Sequence, residues 1–253
     1  MDDVRQDYCI FIAIVFSFQC IGIVVNKFLT PKFLPKTEAW RWKNHAVSCI
    51  HGLIAGSWGC MSLIMYPNIL LDPGTFHNDF AYYMVLFCSG YFMYDFIDHI
   101  LNKKALEFWE VTLHHIAVIS IFWHNWHMKI FIGYSVIALL TEANSFFLHA
   151  RKLLRMYKVE KENAVYRILI QLNFISFIIF RIFPIIRVLM GCFAERNRHP
   201  ALAVTIATVS TVLVAIVNIV LFWRLVKTDF LLSNLKKRKE QDTNLVNNNL
   251  KTE

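Results

Sequence analysis

Charged residues are scarce in this sequence: Asp, Glu, Lys and Arg make up 17% of its 253 residues, whereas apolar residues make up 57%. A typical soluble domain contains about 25% charged residues, so the composition excludes an ordinary soluble protein. The sequence also lacks an internal repeat, a glycine-rich phosphate-binding loop and any C-x-x-C pair. With a mean hydropathy of +0.45, the chain is predicted to be an all-α polytopic membrane protein.

The cysteines give no sign of a disulfide framework or a metal site. They lie within or beside apolar segments, where a free cysteine behaves as a small hydrophobic residue. We therefore predict free, buried thiols at all six positions: Cys9, Cys20, Cys49, Cys60, Cys88 and Cys192.

Seven apolar segments are long enough, or nearly so, to cross a bilayer as helices. The first is predicted to be a span rather than a signal peptide, because its leading residues are acidic and no small-residue cleavage site follows Val25. The fourth is the shortest. The predicted spans are Tyr8–Val25, Ala46–Tyr66, Phe80–Ile100, Val111–Trp126, Ile130–His149, Ile168–Met190 and Ala201–Val226.

Basic residues divide unequally between the two sides that these seven spans define. The loops after spans one, three and five, together with the C-terminal tail, contain 20 Lys and Arg residues, whereas the other side contains four. Cytosolic loops carry the excess of positive charge, so the N-terminus is predicted outside and the tail in the cytosol. The basic pI of 9.2 therefore needs no nucleic acid to explain it.

The C-terminal tail has two predicted features. Lys236–Lys239 is a basic run that acts as a topology determinant or, alternatively, contacts anionic lipids. Gln241–Glu253 is rich in asparagine and is predicted to be disordered.

Polar residues recur at one depth on four consecutive spans, near their cytosolic ends. An ionisable group facing lipid costs about 2.5–3.5 kcal/mol, and the sets on spans three and five each occupy one helix face. We therefore predict an interior polar pocket for a lipid-sized ligand. Its candidate residues are Tyr91, Tyr94, Asp95, Asp98, His114, His115, Glu142, Ser145, Gln171, Asn173 and Arg181.

Within this set, Asp95, His114, His115 and Glu142 are the candidate catalytic residues. A carboxylate that orients an imidazole makes a general base, which is what acyl transfer between lipids requires. Adjacent histidines on a helix point about 100° apart, so at most one can face the centre of the pocket.

Simpler explanations stay open for several polar residues. Asp98, His99 and His149 lie near helix ends and can reach the interface, and Tyr91 and Tyr94 can serve packing alone.

Two other classes of membrane protein do not fit the sequence. A di-iron desaturase needs several H-x2–4-H pairs on the cytosolic side, but His124 and His127 form the one H-x-x-H and fall on the opposite side. A seven-span receptor is disfavoured because span three lacks D-R-Y and span seven lacks N-P-x-x-Y.

Five segments together resemble the TLC domain, the family of the ceramide synthases and the translocation-associated membrane proteins, over Arg41 to Lys227. They are RWKNHAVSCIHGLIAG (Arg41–Gly56), GYFMYDFIDHILNKK (Gly90–Lys104), FWEVTLHHIAVI (Phe108–Ile119), ALLTEANSFFLHARKLL (Ala138–Leu154) and NFISFIIFRIFP (Asn173–Pro184). The resemblance divides the chain into a first span with its basic loop (1–40), a TLC domain (41–227) and a tail (228–253). It implies a bundle of six helices around a central lipid-accessible cavity, with the first span outside it.

Within the family, the sequence is most similar to the membrane-fluidity regulators. This resemblance implies a multi-pass plasma-membrane protein, or alternatively one of the endoplasmic reticulum, that limits the incorporation of polyunsaturated acyl chains into phospholipids. The implied partners are phospholipids or fatty acyl chains and lipid-remodelling enzymes, without a cofactor.

Ceramide synthases pair the double histidine with two aspartates three residues apart, whereas this sequence has Glu142 and Ser145 at those positions. A regulator is therefore favoured over an acyltransferase using His114 and His115. We expect Asp95 to substitute spatially for the missing acid.

The charge division predicts how tags at the two ends respond to external protease on intact cells. We expect an N-terminal tag to be cleaved and a C-terminal tag to be protected, because the tail lies on the side with 20 basic residues. Protection of the N-terminal tag would contradict either span one or the orientation.

Overall fold

The helices follow the predicted apolar segments, and most extend beyond them. The computed structural model describes residues 2–160 and 162–228, and within these ranges every regular element is helical. The all-α membrane fold class is thus confirmed, whereas Lys161 and the predicted tail features at Lys236–Lys239 and Gln241–Glu253 lie outside the described residues. The helices are α1 (Asp2–Val24), α2 (Lys36–Met65), α3 (Asn68–Leu71), α4 (Asp79–Leu101), α5 (Trp109–Met128), α6 (Ile132–Leu139), α7 (Thr141–Met156), α8 (Ala164–Phe177), α9 (Phe183–Ala194) and α10 (Ala201–Val226).

The chain divides into two compact units at Ala215 and Ile216. The first unit contains α1 to α9 and the first part of α10, and the site described below lies entirely within it. The described part of the second unit is the remainder of α10 and two further residues.

Five stretches among the described residues are long and apolar enough to cross a membrane, against seven predicted spans. They are Val4–Leu29, Lys36–Met65, Asp79–Leu101, Ala164–Ala194 and Ala201–Val226. The fourth predicted span is α5, whose 20 residues include four histidines. The fifth is α6 and α7 together.

The prediction of one continuous helix for span five is wrong, because the helix is interrupted at Leu140. The Thr141 hydroxyl donates a hydrogen bond to the Ala138 carbonyl at 2.8 Å, beside the interruption. At the other end, α6 begins only after Phe131, whose φ of 56° is incompatible with a right-handed helix.

Span six changes to a π-helical turn at Ile178–Ile182 before continuing as α9. The turn ends two residues before Pro184, which has no backbone N–H to donate to the preceding turn. One extra residue in a turn rotates the side chains that follow. Arg181 lies within this turn and is buried.

The predicted spans cross the membrane in alternating directions. The helix ends that this prediction places on the same side of the membrane lie next to one another in the structure. Tyr82, near the start of α4, donates a hydrogen bond to Asp7 of α1 at 2.7 Å, and the same hydroxyl group lies 3.2 Å from the carbonyl oxygen of Trp126, near the end of α5. Spans one and three therefore begin on the side where span four ends. Which side of the membrane this is stays a prediction.

All six cysteines are free. The expectation that every thiol is buried holds for Cys88 alone: Cys49, Cys60 and Cys192 are half-buried, and Cys9 and Cys20 are exposed on α1. The reason is that α1 presents much of its surface outward, where an apolar side chain faces lipid at no cost.

Small residues allow α2 and α7 to approach each other closely. A Cβ atom added to Gly56 would lie 2.5 Å from the Cα of Ala143, and one added to Gly52 would lie 2.8 Å from the backbone nitrogen of Phe146. Close backbone contact of this kind is how helices associate in lipid, where no hydrophobic force drives them together.

This contact predicts that Gly56→Ala destabilises the protein, because the added methyl group would meet backbone that can move only if the two helices separate. Overpacking of this kind costs about 1–3 kcal/mol. Gly59→Ala is the matched control, since its added methyl would meet the flexible ends of Met84 and Leu140 at 3.2 and 3.3 Å. Thermal unfolding in detergent should show the larger fall for Gly56→Ala; equal midpoints would contradict the packing argument.

Candidate functional site

Asp95 is the centre of a buried cluster formed by three helices. Its Oδ1 accepts a hydrogen bond from the Asn44 amide of α2 at 2.5 Å. Its Oδ2 lies 3.1 Å from His115 Nε2 of α5 and 3.7 Å from His99 Nδ1 of α4. All four side chains are buried. The donor atoms of Asp95, His99 and His115 lie within 4.8 Å of one another, close enough to share one metal ion.

The two adjacent histidines of α5 face different surroundings, as helix geometry requires. His115 points to Asp95. His114 lines an apolar cavity and packs edge-on against the Phe92 ring, with centroids 6.3 Å apart. The Nδ1 atom of His114 is buried without a hydrogen-bond partner.

Glu142, at the start of α7, is the second buried acid. Its Oε2 lies 3.4 Å from Nδ1 of His51, without the alignment of a hydrogen bond. The His51 ring stacks on Tyr91, with centroids 3.6 Å apart and an interplanar angle of 11°. Tyr91 in turn donates a hydrogen bond to Ser48 at 2.9 Å, which ties α4 to α2.

Arg181 donates hydrogen bonds to two side chains of α7. Its Nε donates to Asn144 Oδ1 at 2.5 Å, and its Nη2 donates to Ser145 Oγ at 2.9 Å. The Asn144 amide nitrogen donates to the Asn173 carbonyl at 2.9 Å and to Ser176 Oγ at 2.8 Å, both on α8. The network joins α7 to α8 and the π-helical turn.

Asp98 is buried on α4, between Asp95 and the end of the helix at Leu101. Its Oδ1 is 2.6 Å from Lys43 Nζ, and its Oδ2 accepts a hydrogen bond from Trp40 at 2.9 Å. In the loop that follows α4, hydrogen bonds from Lys104 and Arg41 hold the pKa of Glu107 below its usual range.

An elongated apolar cavity adjoins this polar layer. Its lining residues on α5 are His114, Val118, Ile121, Phe122 and Asn125, which occupy one helix face over a rise of ~16 Å. About 80 Å³ of the cavity is open to the centre of a water molecule, several times the roughly 10–15 Å³ that one water needs. The other walls come from α4, α6, α7, α9 and α10.

The cavity has ionisable groups towards both ends. His114 and Glu142 lie near the starts of α5 and α7, whereas Glu195 follows the end of α9. Glu195 is buried and accepts a long hydrogen bond of 3.5 Å from Tyr134, which also lines the cavity.

The predicted single pocket must be corrected to a packed polar layer beside a separate cavity. Among the predicted residues, His114 and Glu142 line the cavity. Those found in the polar layer without lining the cavity are Tyr91, Asp95, Asp98, His115, Ser145, Asn173 and Arg181. The polar groups are drawn together because they satisfy one another, which leaves the cavity walls mostly to apolar side chains.

Two predicted pocket residues lie elsewhere. Gln171 is exposed on α8, so its placement in the pocket is wrong; Asn173, two residues further along, is buried. Tyr94 faces α1, where its hydroxyl would lie 2.5 Å from a Cβ added to Gly22, and its role is packing. His149 Nδ1 lies 3.3 Å from Nδ1 of His45 on α2.

Sequence reasoning missed the contribution of α2. Asn44, Ser48 and His51 recur at i, i+4 and i+7 and so share one helix face. The signal was present, but the predicted span began at Ala46, whereas α2 begins at Lys36. Asn144 lies between Glu142 and Ser145, which were predicted to be pocket residues, but Asn144 itself was not predicted.

Comparison with known proteins identifies the family. The chain belongs to the TLC-domain family, because the family model for the TLC domain matches residues 41–227. The predicted family is thus confirmed, and with it a multi-pass membrane protein of a family linked to lipid metabolism.

Relatives of similar length cover most of the chain. It is 34% identical over 232 residues to TLC domain-containing protein 2 of Danio rerio, covering 90% of this chain and 94% of that protein. It is 29% identical over 196 residues to TLC domain-containing protein 2 of Homo sapiens, covering 78% and 74%. It is 27% identical over 205 residues to TLC domain-containing protein 1 of Mus musculus, covering 81% and 82%.

The bonds of Arg181 predict that Arg181→Met destabilises the fold. Asn144 Oδ1 would lose its donor inside the bundle, and an orphaned buried polar atom costs about 1–3 kcal/mol. Arg187→Met is the matched control, because Arg187 is half-buried and donates to the Leu70 carbonyl at 3.2 Å. Thermal unfolding in detergent measures both; an equal or larger loss for Arg187→Met would contradict this assignment.

Proposed function

We propose that this protein regulates the acyl composition of membrane phospholipids, and hence membrane fluidity, by limiting the incorporation of polyunsaturated acyl chains. The observation that carries the proposal is the narrow apolar cavity beside the polar layer. Its ~16 Å run along α5 and its apolar walls suit one hydrocarbon chain. The membership of the TLC-domain family supports a lipid ligand.

The proposal includes the partners and the location. The ligand is a phospholipid or a fatty acyl chain, and lipid-remodelling enzymes are the protein partners through which a non-catalytic regulator acts. We place the protein in the plasma membrane, with the endoplasmic reticulum as the alternative, and with the N-terminus outside and the C-terminus in the cytosol. The basic excess on one side supports this orientation.

A second candidate function is acyl transfer of the ceramide-synthase type. It is favoured by His114, whose Nδ1 has no hydrogen-bond partner at the cavity that Glu142 also lines. Against it stands Ser145, which supplies no negative charge and whose hydroxyl accepts a hydrogen bond from Arg181. We therefore favour the regulator.

Filling the cavity tests the proposed function. In cells that lack the gene, we expect the polyunsaturated fraction of phospholipid acyl chains to rise, and wild-type protein to reverse the rise. Val188→Trp should fail to reverse it, because Val188 lines the cavity and an indole ring would occupy the acyl-chain volume. Val209→Trp is the matched control, since Val209 is 53% exposed on α10.

Lipid analysis measures the polyunsaturated fraction of phospholipid acyl chains for each variant, and immunoblots measure its expression level. Full reversal by Val188→Trp at normal expression, or unchanged polyunsaturation in the null cells, would contradict the proposal. The second candidate is distinguished by purified protein supplied with acyl-CoA and an acceptor lipid. Transfer that falls about 10²–10⁴-fold in His114→Ala would establish the enzyme in place of the regulator.

A further inference from the structure

Among the described residues, no permanently charged cation is in contact with the buried Asp95 carboxylate. Within the described residues, the side chains in contact with it are the Asn44 amide and the imidazoles of His99 and His115. Lys43 could have neutralised the Asp95 carboxylate, but its ammonium group lies 2.6 Å from Asp98 instead. A buried carboxylate that is not neutralised by a cation carries a penalty of several kcal/mol, so this arrangement leaves room for a positively charged partner.

The two imidazoles converge on one oxygen of that carboxylate. His115 Nε2 and His99 Nδ1 lie 3.1 and 3.7 Å from Asp95 Oδ2, and the three donor atoms are all within 4.8 Å of one another. Zinc bonds of about 2.0–2.1 Å place neighbouring ligand atoms of a tetrahedral shell roughly 3.3–3.4 Å apart. The two measured separations bracket that value.

We propose that Asp95, His99 and His115 bind a divalent transition-metal ion, with zinc as the ion whose ligand preferences match this set. Two imidazole nitrogens and one carboxylate oxygen form the ligand set of zinc sites that keep a fourth position open, and of mononuclear iron(II) sites. A single proton is a poorer occupant, because it can join only one of the two imidazoles to the carboxylate.

The Asp95 carboxylate is oriented by a hydrogen bond from a neighbouring side chain, as ligands in metal sites commonly are. Asn44 holds Oδ1 at 2.5 Å and so directs Oδ2 towards the imidazoles, which is how outer groups orient a ligand. One internal bond must change: His99 Nδ1 also lies 2.8 Å from the Asp95 carbonyl oxygen. Metal binding through this nitrogen replaces that hydrogen bond.

Metal content of the purified full-length protein tests the proposal. The protein is prepared in detergent with an affinity tag that contains no histidine, loaded with zinc, freed of unbound ions and analysed by mass spectrometry. We expect about one equivalent of metal in the wild type. Asp95→Asn and His115→Gln keep the side-chain size but lose a ligand, and we expect each to lower the retained metal at least tenfold.

His114→Gln is the matched control, because His114 is the adjacent residue in sequence and faces the cavity instead. It should retain metal like the wild type. Asn44→Ala should weaken zinc affinity about 10–100-fold, since it removes an orienting partner rather than a ligand. Loss of metal from His114→Gln equal to that from His115→Gln would overturn the proposal.

The thermal stability of the wild type provides a second test that does not depend on whether a variant folds. A chelator should lower the thermal midpoint of the zinc-loaded wild type, because an ion that binds only the folded state stabilises it. No retained metal and no effect of chelator in the wild type would overturn the proposal. This result would leave the proposed lipid function untouched, since neither measurement involves lipid.

Discussion

The architecture depends on one constraint: a carboxylate placed inside a membrane bundle must be satisfied by the protein itself. Asp95 meets this constraint with groups from three helices, Asn44 of α2, His99 of α4 and His115 of α5. No bulk water is available to solvate a group at this depth. The helices are consequently fixed in rotation as well as position, because a turn of any one of them would leave the acid without its partners.

A buried positive charge follows the same rule as the buried carboxylate. Arg181 receives its oxygen partners from Asn144 and Ser145, and the π-helical turn at Ile178–Ile182 turns its side chain inward. The networks around Asp95 and Arg181 fill the spaces between helices. The cavity is therefore left on the side of α5 and α6 where the facing side chains are apolar.

Much of the fold could be predicted from sequence, because apolar length and charge asymmetry are properties of single segments. Span seven has the predicted bounds, Ala201–Val226. The interruption at Leu140 was missed because it depends on local backbone bonding, which the hydropathy of the segment does not reveal. The extension of α2 to Lys36 was missed because hydropathy falls where a helix leaves the hydrocarbon core, although the helix itself continues.

The candidate site was less predictable because depth and helix face specify where a group lies but not which group it meets. Depth and face correctly brought Asp95 near His115, and they separated the surroundings of the two adjacent histidines. They failed for Gln171, since a polar residue near a helix end can equally face outward. Pairings such as that of His51 with Glu142 involve helices far apart in sequence, and only the tertiary structure reveals them.

The adjacent histidines couple the two parts of the site. His115 is fixed by the Asp95 cluster, and His114, on the next residue of the same helix, faces the cavity. Because a helix is rigid over one residue, whatever sets the position of His115 also sets the position of His114 relative to a ligand. A change in the charge at Asp95 can thus reach the cavity without any contact between Asp95 and the ligand. This coupling serves either function, since a regulator needs it to sense a chain and an enzyme needs it to position a base.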